Sequence, residues 1–451
     1  MKSMSEKYLI VGAGRSGICS AQLLSGLGKD FVVFDGNADL DTKAVTEKIG
    51  TSKDIPFILG KADKSDLEGI DICVVSPGVS LETEIMQTVI SAGIPVWSEI
   101  ELAYIYDKGS VIGITGTNGK TTTTSLTYEI VKAYNKNTLL VGNIEIPYTG
   151  RVSDSVDGGA TVAEISSFQL ETMLTFKPKV SAILNITPDH LDRHKTMENY
   201  GDVKKSIAKN QDESDFCILN YDDEVLRAFA AECKSKVVFF SSKEKLRDGL
   251  YYCDGKIFIA KDGVSELFVD TWEVNLVGVH NFENIMAAVG ITMSFGVPVD
   301  LIREVVKKFV AVEHRIEYVA TKKGVKYYND SKGTNTDAAI KAIDAMPSTT
   351  VLIAGGYDKK SKYDEWVSRF PGKVRKLVLI GQTRENIAAA CDEIGFSDYV
   401  FADSLEEAVK ICEETAVEGD CCLLSPACAS WGMFKNYQQR GDMFKALVRG
   451  E

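Results

Sequence analysis

The sequence predicts an α/β protein of three domains built on mostly parallel sheets, and three observations carry that expectation. Its 451 residues amount to about three domains at roughly 150 residues each. Short β-branched runs alternate with helical stretches, the pattern of parallel sheets covered by helices. Polar turns follow the predicted strands in every third of the chain, where open parallel sheets bind ligands beside helix N-termini.

Composition narrows the class. With 45% hydrophobic and 25% charged residues the chain is globular rather than disordered. It has no run of about 18 apolar residues to span a bilayer, so no membrane insertion is expected. Lys plus Arg number 51 against 64 Asp plus Glu, a net charge of −13, which disfavours nucleic acids and anionic membranes as partners. The apolar stretch before Gly12 is too short for a signal-peptide core, so a cytoplasmic location is expected. Ten cysteines at irregular spacings, without any Cys-x-x-Cys, predict reduced thiols rather than disulfides or a thiolate zinc site. His190 and His194 share a potential helix face, yet Leu191-Asp192-Arg193 between them lacks the glutamate of a zinc-protease helix.

The first block, to about residue 100, places strands at 8–11, 31–34 and 72–75, each followed by a turn and a helix-like segment. Gly12-Ala13-Gly14-Arg15-Ser16-Gly17 follows the first strand and opens a helix. Asp35 ends the second strand at a distance suited to a ribose hydroxyl, a Rossmann-like pattern. Ser76-Pro77-Gly78 after the third strand offers a second rim for the same pocket. Tight strand-to-helix turns would account for either motif without a ligand.

The second block opens at 111–114 and continues through apolar runs near 161–165, 180–186 and 216–219 to about residue 312. Thr115-Gly116-Thr117-Asn118-Gly119-Lys120-Thr121, between a strand and a predicted helix at 122–131, is similar to a phosphate-binding loop. Its spacing departs from the usual one, with Ile114 where a glycine would stand. Backbone N–H groups there suit phosphate oxygens, Lys120 the terminal phosphates and the Thr121 hydroxyl a Mg²⁺ ion. Because Mg²⁺ takes hard oxygen ligands, Glu164, after Val162-Ala163, is a candidate ligand. His190 ends the next strand as a neutral ligand or hydrogen-bond donor. A strand-end carboxylate and a structural histidine are the plain alternatives.

The third block carries strands at 325–328, 350–353, 376–380, 399–401 and 421–424, with helices such as 337–345 and 405–416 between them. His314-Arg315 and Asn329-Asp330-Ser331-Lys332-Gly333-Thr334-Asn335 bring cations and a carboxylate into loops that suit phosphates and a carboxylate substrate. Helix capping by Ser331 or Thr336 is the alternative. Gly355 to Lys359 and Ser425 to Ser430 again follow strands.

Taken together, TGTNGKT at 115–121, EISSFQLE at 164–171, PDHLDRH at 188–194, HNFEN at 280–284, HRIE at 314–317, DSKGTN at 330–335 and SPACAS at 425–430 resemble the Mur ligase family. DSKGTN, SPACAS and FKNYQQRGD at 434–442 resemble its D-glutamate-adding branch. The resemblance covers essentially the whole chain in order. It implies an N-terminal Rossmann-like domain for the UDP part of the substrate (1–98), a central P-loop ATPase-like domain (99–312) and a C-terminal Rossmann-like domain admitting the amino acid (313–451).

The implied activity is ATP-dependent amide formation between UDP-N-acetylmuramoyl-L-alanine and D-glutamate through an acyl phosphate, in peptidoglycan precursor synthesis by a monomer. ATP and two Mg²⁺ ions are the implied cofactors. By the same resemblance the UDP-substrate contacts are Gly14, Arg15, Ser16, Asp35, Ser76, Pro77, Gly78, Asn143 and His190. ATP falls to Gly116, Thr117, Asn118, Gly119, Lys120, Thr121, Thr122, Asn281, Asn284, Arg315 and Asp330. Lys204 aligns with a carbamylated lysine, with Lys205 and Lys209 as alternatives, and joins Thr121, Glu164 and His190 as a metal ligand. Lys332 joins Lys120, Glu164, His190 and Lys204 as catalytic. Thr334, Lys359, Ser430 and Tyr437 would hold D-glutamate, with Lys360 beside Lys359. Another amide ligase with a different amino acid or a folate acceptor, a nicotinamide-dependent dehydrogenase using Gly12 to Gly17, and a non-catalytic nucleotide-binding protein are the competing readings.

Overall fold

The computed structural model describes residues 6–51, 54–144, 146–310, 313–357 and 361–451. It contains three sheets among these residues. The first comprises β1 (Lys7–Val11), β2 (Asp30–Asp35), β3 (Phe57–Leu59), β4 (Ile72–Val75) and β5 (Val96–Ser98), all parallel, in the order β3-β2-β1-β4-β5. The chain reverses direction across the sheet between β1 and β4, so the turns after these two strands face one crevice. β3 and β5, each only three residues long, were not expected from the sequence.

The second sheet holds β6 (Ser110–Thr115), β7 (Thr138–Gly142), β8 (Ala160–Glu164), β9 (Val180–Ile183), β10 (Phe216–Asn220), β11 (Lys236–Ser241), β12 (Gly249–Cys253), β13 (Lys256–Lys261) and β14 (Val264–Asp270). Their order is β14-β13-β12-β11-β10-β9-β6-β8-β7. β6 lies between β8 and β9, which places the ends of three strands around residue 115. The mostly parallel sheet ends at its far edge in a pair, β12 and β13, that runs antiparallel. Asp254-Gly255 and Asp262-Gly263, all four at positive φ, form the tight connections, and Asp-Gly between strand-forming runs is a strong hairpin signal that the sequence already carried.

The third sheet holds β15 (Glu317–Lys322), β16 (Val325–Asn329), β17 (Thr350–Gly356), β18 (Val374–Gly381), β19 (Tyr399–Phe401) and β20 (Cys421–Leu424), ordered β15-β16-β20-β17-β18-β19. β15 is the unexpected strand and pairs antiparallel with β16. The turns after β16, β20 and β17 meet at one end of the sheet.

The chain forms two compact units, one containing residues up to Phe268 with Glu283–Val305 and the other Val269–Phe282 with Val306–Glu451. In the first, one apolar core runs from Tyr8 and Ile10 through Ile100 and Leu102 to Ile183 and Leu219, so the first two sheets share it, and a second, around Leu9, Val11, Val32 and Met86, covers the other face of the first sheet. The helix Glu99–Tyr106 links them. Ser98 caps it by accepting the Glu101 amide, and the buried Glu101 carboxylate accepts the amides of Leu174, Thr175 and Phe176. All ten cysteines are free thiols, seven of them buried. No helix among the described residues is long and apolar enough to cross a membrane.

Candidate active site

Both glycine turns of the first unit are shaped by close contacts. Gly12 is at φ +98, and a Cβ there would lie 2.9 Å from Ser76 Oγ. A Cβ on Gly17 would fall 1.8 Å from the Gly12 carbonyl oxygen, so only glycine lets the helix Arg15–Gly26 pack this tightly against β1. Ser76 Oγ donates to Gly12 O at 3.2 Å, which joins the two predicted rims. Asp35 accepts the Ala13 amide at 2.8 Å, bracing the turn from the end of β2. Gly14 has open space beyond its Cα, and Arg15 is exposed beside it.

The 115–121 loop follows β6 and ends in the helix Lys120–Tyr134. Gly119 caps this helix at φ +83, with Asn284 Oδ1 only 2.2 Å from where a Cβ would sit. Asn284 also accepts the Thr123 hydroxyl at 3.3 Å. The apolar run expected at 180–186 stops as a strand at Ile183, because Asn185 turns to hold the loop. Its carbonyl and side-chain oxygens accept the Thr117 amide at 3.0 and 3.1 Å, and Oδ1 accepts the Asn118 amide at 2.8 Å. Thr117 Oγ1 lies 3.1 Å from the Tyr200 hydroxyl. Thr121 and the buried Thr122 open the helix.

Two lysines converge here. Lys120 Nζ donates to Gly116 O at 2.9 Å and Thr117 O at 2.8 Å, while Lys204 Nζ donates to the same Gly116 O at 2.8 Å. Lys204 is 1% exposed. Burial, with the Lys120 charge adding to it, pulls its amine down to about 7, against a smaller opposing pull from Asp189. Lys205 instead pairs with Asp202 at 3.0 Å, and Lys209 is exposed.

Glu164 ends β8 and is 1% exposed. Its Oε1 accepts the Asn143 amide group at 2.8 Å, and its Oε2 meets no hydrogen-bond partner among the described residues. A buried carboxylate oxygen without a donor costs free energy that a bound cation would recover, so the donor set fits Mg²⁺. Asn143 therefore meets Glu164 directly. His190 sits at φ +51 with its side chain 49% exposed, its ring 4.8 Å from that of Phe168. The neighbouring His194 is the buried one, with Nε2 3.0 Å from Ser167 Oγ, and burial lowers its imidazole below the ordinary value.

In the second unit, Asp330 is buried at the end of β16. It accepts the Ser425 hydroxyl at 2.8 Å and the Ile316 amide at 3.3 Å, and burial pushes its carboxyl up to about 7. His314 O accepts the Lys332 amide at 2.9 Å, and Arg315 is exposed. Lys332 Nζ stands 5.9 Å from the centre of the Tyr437 ring, and Thr334 N donates to Lys332 O at 2.9 Å. Ser430 is buried, and Asn281 Nδ2 donates to Val277 O at 2.7 Å. Lys359 lies outside the described residues. The cap of the helix Thr336–Ala345 is Asn335, whose side chain accepts the Ala338 amide, rather than Ser331 or Thr336. Ser331 Oγ is taken up by Tyr437 O and by Arg440, which is wholly buried and also donates to Ser331 O and Cys428 O. Sequence reasoning passed over Arg440, although a guanidinium there joins the turns after β16 and β20.

Comparison with known proteins decides the family. A protein of Lachnospira eligens carrying the name UDP-N-acetylmuramoylalanine--D-glutamate ligase is 54% identical over 449 residues, 99% of each chain. The chain belongs to the Mur ligase family.

Family models agree along this Mur ligase: the MurD-like N-terminal domain matches residues 6–98, the Mur ligase middle domain 114–292 and the glutamate ligase domain 314–428. A relative of the same name from Lachnoclostridium phytofermentans is 50% identical over 99% of each chain. Among solved structures, the UDP-N-acetylmuramate-alanine ligase of Thermotoga maritima has a TM-score of 0.57 at 17% identity, covering 99% of each chain, a likeness of fold. Asn185 lies outside the quoted motifs, whereas Arg193 and Arg440 stand inside PDHLDRH and FKNYQQRGD with no role assigned to them there. The local signal for Asn185 was a polar residue breaking the apolar run after Leu184.

Proposed function

We infer that this Mur ligase joins D-glutamate to UDP-N-acetylmuramoyl-L-alanine at the expense of ATP, in peptidoglycan precursor synthesis. The observation that carries the chemistry is the cluster beyond β6 and β8: two lysines on the Gly116 carbonyl and a buried carboxylate oxygen without a donor at Glu164. The names of relatives at 54% and 50% identity support the choice of substrates.

A carboxylate is a poor electrophile because it would have to expel oxide. A carboxylate oxygen of the alanyl group takes the γ-phosphoryl group of ATP and ADP departs. The amine of D-glutamate then attacks the acyl carbon, loses a proton, and phosphate leaves as the amide forms. Phosphoryl transfer depends on position and charge. With the Thr117 and Asn118 amides held by Asn185, the amide at the Gly119 helix start and the Lys120 ammonium are suited to hold the phosphates. Glu164, Thr121, His190 and a carbamylated Lys204 would hold Mg²⁺, which supplies neutralisation of phosphate charge. The low proton affinity of buried Lys204 supports carbamylation, since only the free amine adds CO₂, and conversion to an anion removes its repulsion with Lys120.

The turns at 12–17 and 76–78 with Asp35 take the UDP part, helped by Asn143 and His190. Asn281, Asn284, Arg315 and Asp330 serve ATP, and Lys332 serves phosphate or the acceptor. Thr334, Lys359, Ser430 and Tyr437 receive D-glutamate. Domain limits of 1–98, 99–312 and 313–451, a monomeric state and a cytoplasmic location complete the proposal. Phosphate release from ATP tests it: release requiring both UDP-N-acetylmuramoyl-L-alanine and D-glutamate is expected. Turnover with L-glutamate and a folate instead, or formation of NADH, would overturn it.

A further inference from the structure

We propose that Arg193 is a positioning residue for the UDP-substrate pocket, setting the shape of the 76–79 turn from the loop that carries His190. The proposal rests on the functional reading above. The turn is closed by Val79 N donating to Ser76 O at 2.9 Å. Ser76 ties it to the first sheet, through its amide on Val11 O at 2.9 Å and its hydroxyl on Gly12 O at 3.2 Å. The far side of the turn is held from elsewhere. Arg193 Nη1 donates to Pro77 O at 2.8 Å and Nη2 to Val79 O at 3.2 Å, across 116 and 114 residues of chain.

The guanidinium is itself fixed. Nε donates to Glu171 Oε1 at 3.1 Å, Nη2 reaches Glu171 Oε2, and the plane lies 4.2 Å from the centre of the Phe168 ring. Glu171 also lies 3.6 Å from His194 Nδ1, and Phe168 is the ring beside His190. Arg193 is 15% exposed and directs these four hydrogen bonds into protein, so it acts through the turn rather than on a ligand. Gly78, between the two bonded carbonyls, is exposed at the tip. Its position, and with it this rim of the pocket, follows from where Arg193 holds its neighbours. A planar fork can hold two carbonyls and a carboxylate at once, which a lysine ammonium on a flexible stem does poorly.

The test uses full-length wild type, Arg193→Ala and Arg193→Lys, with kcat and KM for each substrate and calorimetric binding of UDP-N-acetylmuramoyl-L-alanine. For Arg193→Ala, KM and Kd for this substrate should rise about tenfold or more, since small misplacement of a binding loop is costly. KM for ATP should change by less than about twofold, and Arg193→Lys should fall between wild type and Arg193→Ala. An unchanged Kd for the UDP substrate, or equal rises in its KM and that of ATP, would overturn the role. If Arg193→Ala does not fold, Arg193→Lys carries the same comparison. Wild type that fails to turn over these substrates counts against the functional reading. Active wild type with an indistinguishable Arg193 variant counts against Arg193 alone.

Discussion

Lys120 and Lys204 donate to one carbonyl oxygen, that of Gly116, at 2.9 and 2.8 Å. Lys204 is buried and Lys120 also has the Thr117 carbonyl, so burial, with the Lys120 charge adding to it, weighs on Lys204. Its folded value of about 7 lies below the 10.5 of an unperturbed lysine. The unfolded chain therefore binds more protons between these values. The resulting destabilisation is complete below about pH 7 and fades as pH rises toward 10.5. Lys204→Met should raise the unfolding midpoint of the protein freed of CO₂, by more at pH 6 than at pH 9, while activity is lost. Equal shifts at both pH values in a denaturation series would contradict the assignment.

The same lysine tests the carbamate separately. Lys204→Ala removes the amine and opens a small space beside Gly116, so a short carboxylic acid can supply the missing anion. Phosphate release by Lys204→Ala should be nearly absent and recover partly with added formate or acetate. The response should saturate, and it should not appear in Lys205→Ala. No recovery at any concentration counts against Lys204 as the carbamylated residue.

Glu164 presents Oε1 to Asn143 at 2.8 Å and keeps Oε2 without a donor. This holds the carboxylate in one orientation on a strand end. Asn143→Ala frees it to rotate, so the Mg²⁺ concentration for half-maximal phosphate release should rise by about tenfold, as for other residues that orient metal ligands. A titration of Mg²⁺ at saturating substrates checks this, and Asn143→Asp, which sets a second carboxylate against Glu164, should be worse than Asn143→Ala.

What could be read in advance was what the backbone does locally. Gly12, Gly17 and Gly119 each occupy a place where a Cβ meets another atom at 2.9 Å or less, and such positions leave glycine in fixed places in a motif. The three sheets followed from β-branched runs for the same reason. Contacts across long separations were not readable: Asn185 reaches back 67 residues to Asn118, and Arg193 reaches 116 to Pro77. Nothing in a short window distinguishes Arg193 from a solvated arginine. Asn143 shows another limit: its motif implied a substrate contact, and nothing in it indicated that its amide also donates to Glu164 across 21 residues. The edge hairpin was legible through Asp254-Gly255, but its strands lie farthest from the 115–121 loop and attracted no chemical reading.

Lys120 and the UDP turns belong to different strand ends, Lys120 following β6 and the turns following β1 and β4. Lys120→Ala should abolish phosphate release while calorimetric binding of UDP-N-acetylmuramoyl-L-alanine stays within about twofold of wild type. Loss of both in a folded variant would show that the two pockets are not separable in this way.

Gly119→Ala probes the loop through its backbone. At φ +83 an alanine pays about 1 kcal/mol or more for the left-handed conformation, and its methyl would stand 2.2 Å from Asn284 Oδ1. Asn284 is buried on the helix Val279–Phe295 and accepts the Thr123 hydroxyl, so it has little room to withdraw, and the loop must move instead. That displaces the Thr117 and Asn118 amides from Asn185 and shifts Lys120, the next residue. Phosphate release should fall by about 100-fold, the cost of misplacing a group in the transition state, with binding of the UDP substrate preserved. Gly14→Ala is the counterpart: the same substitution meets nothing within 4 Å, so its unfolding midpoint should match wild type. Any rise in KM for the UDP substrate then reports a ligand approaching that backbone, whereas equal sensitivity of stability at both glycines would mean that the contacts around Gly119 do not set its conformation.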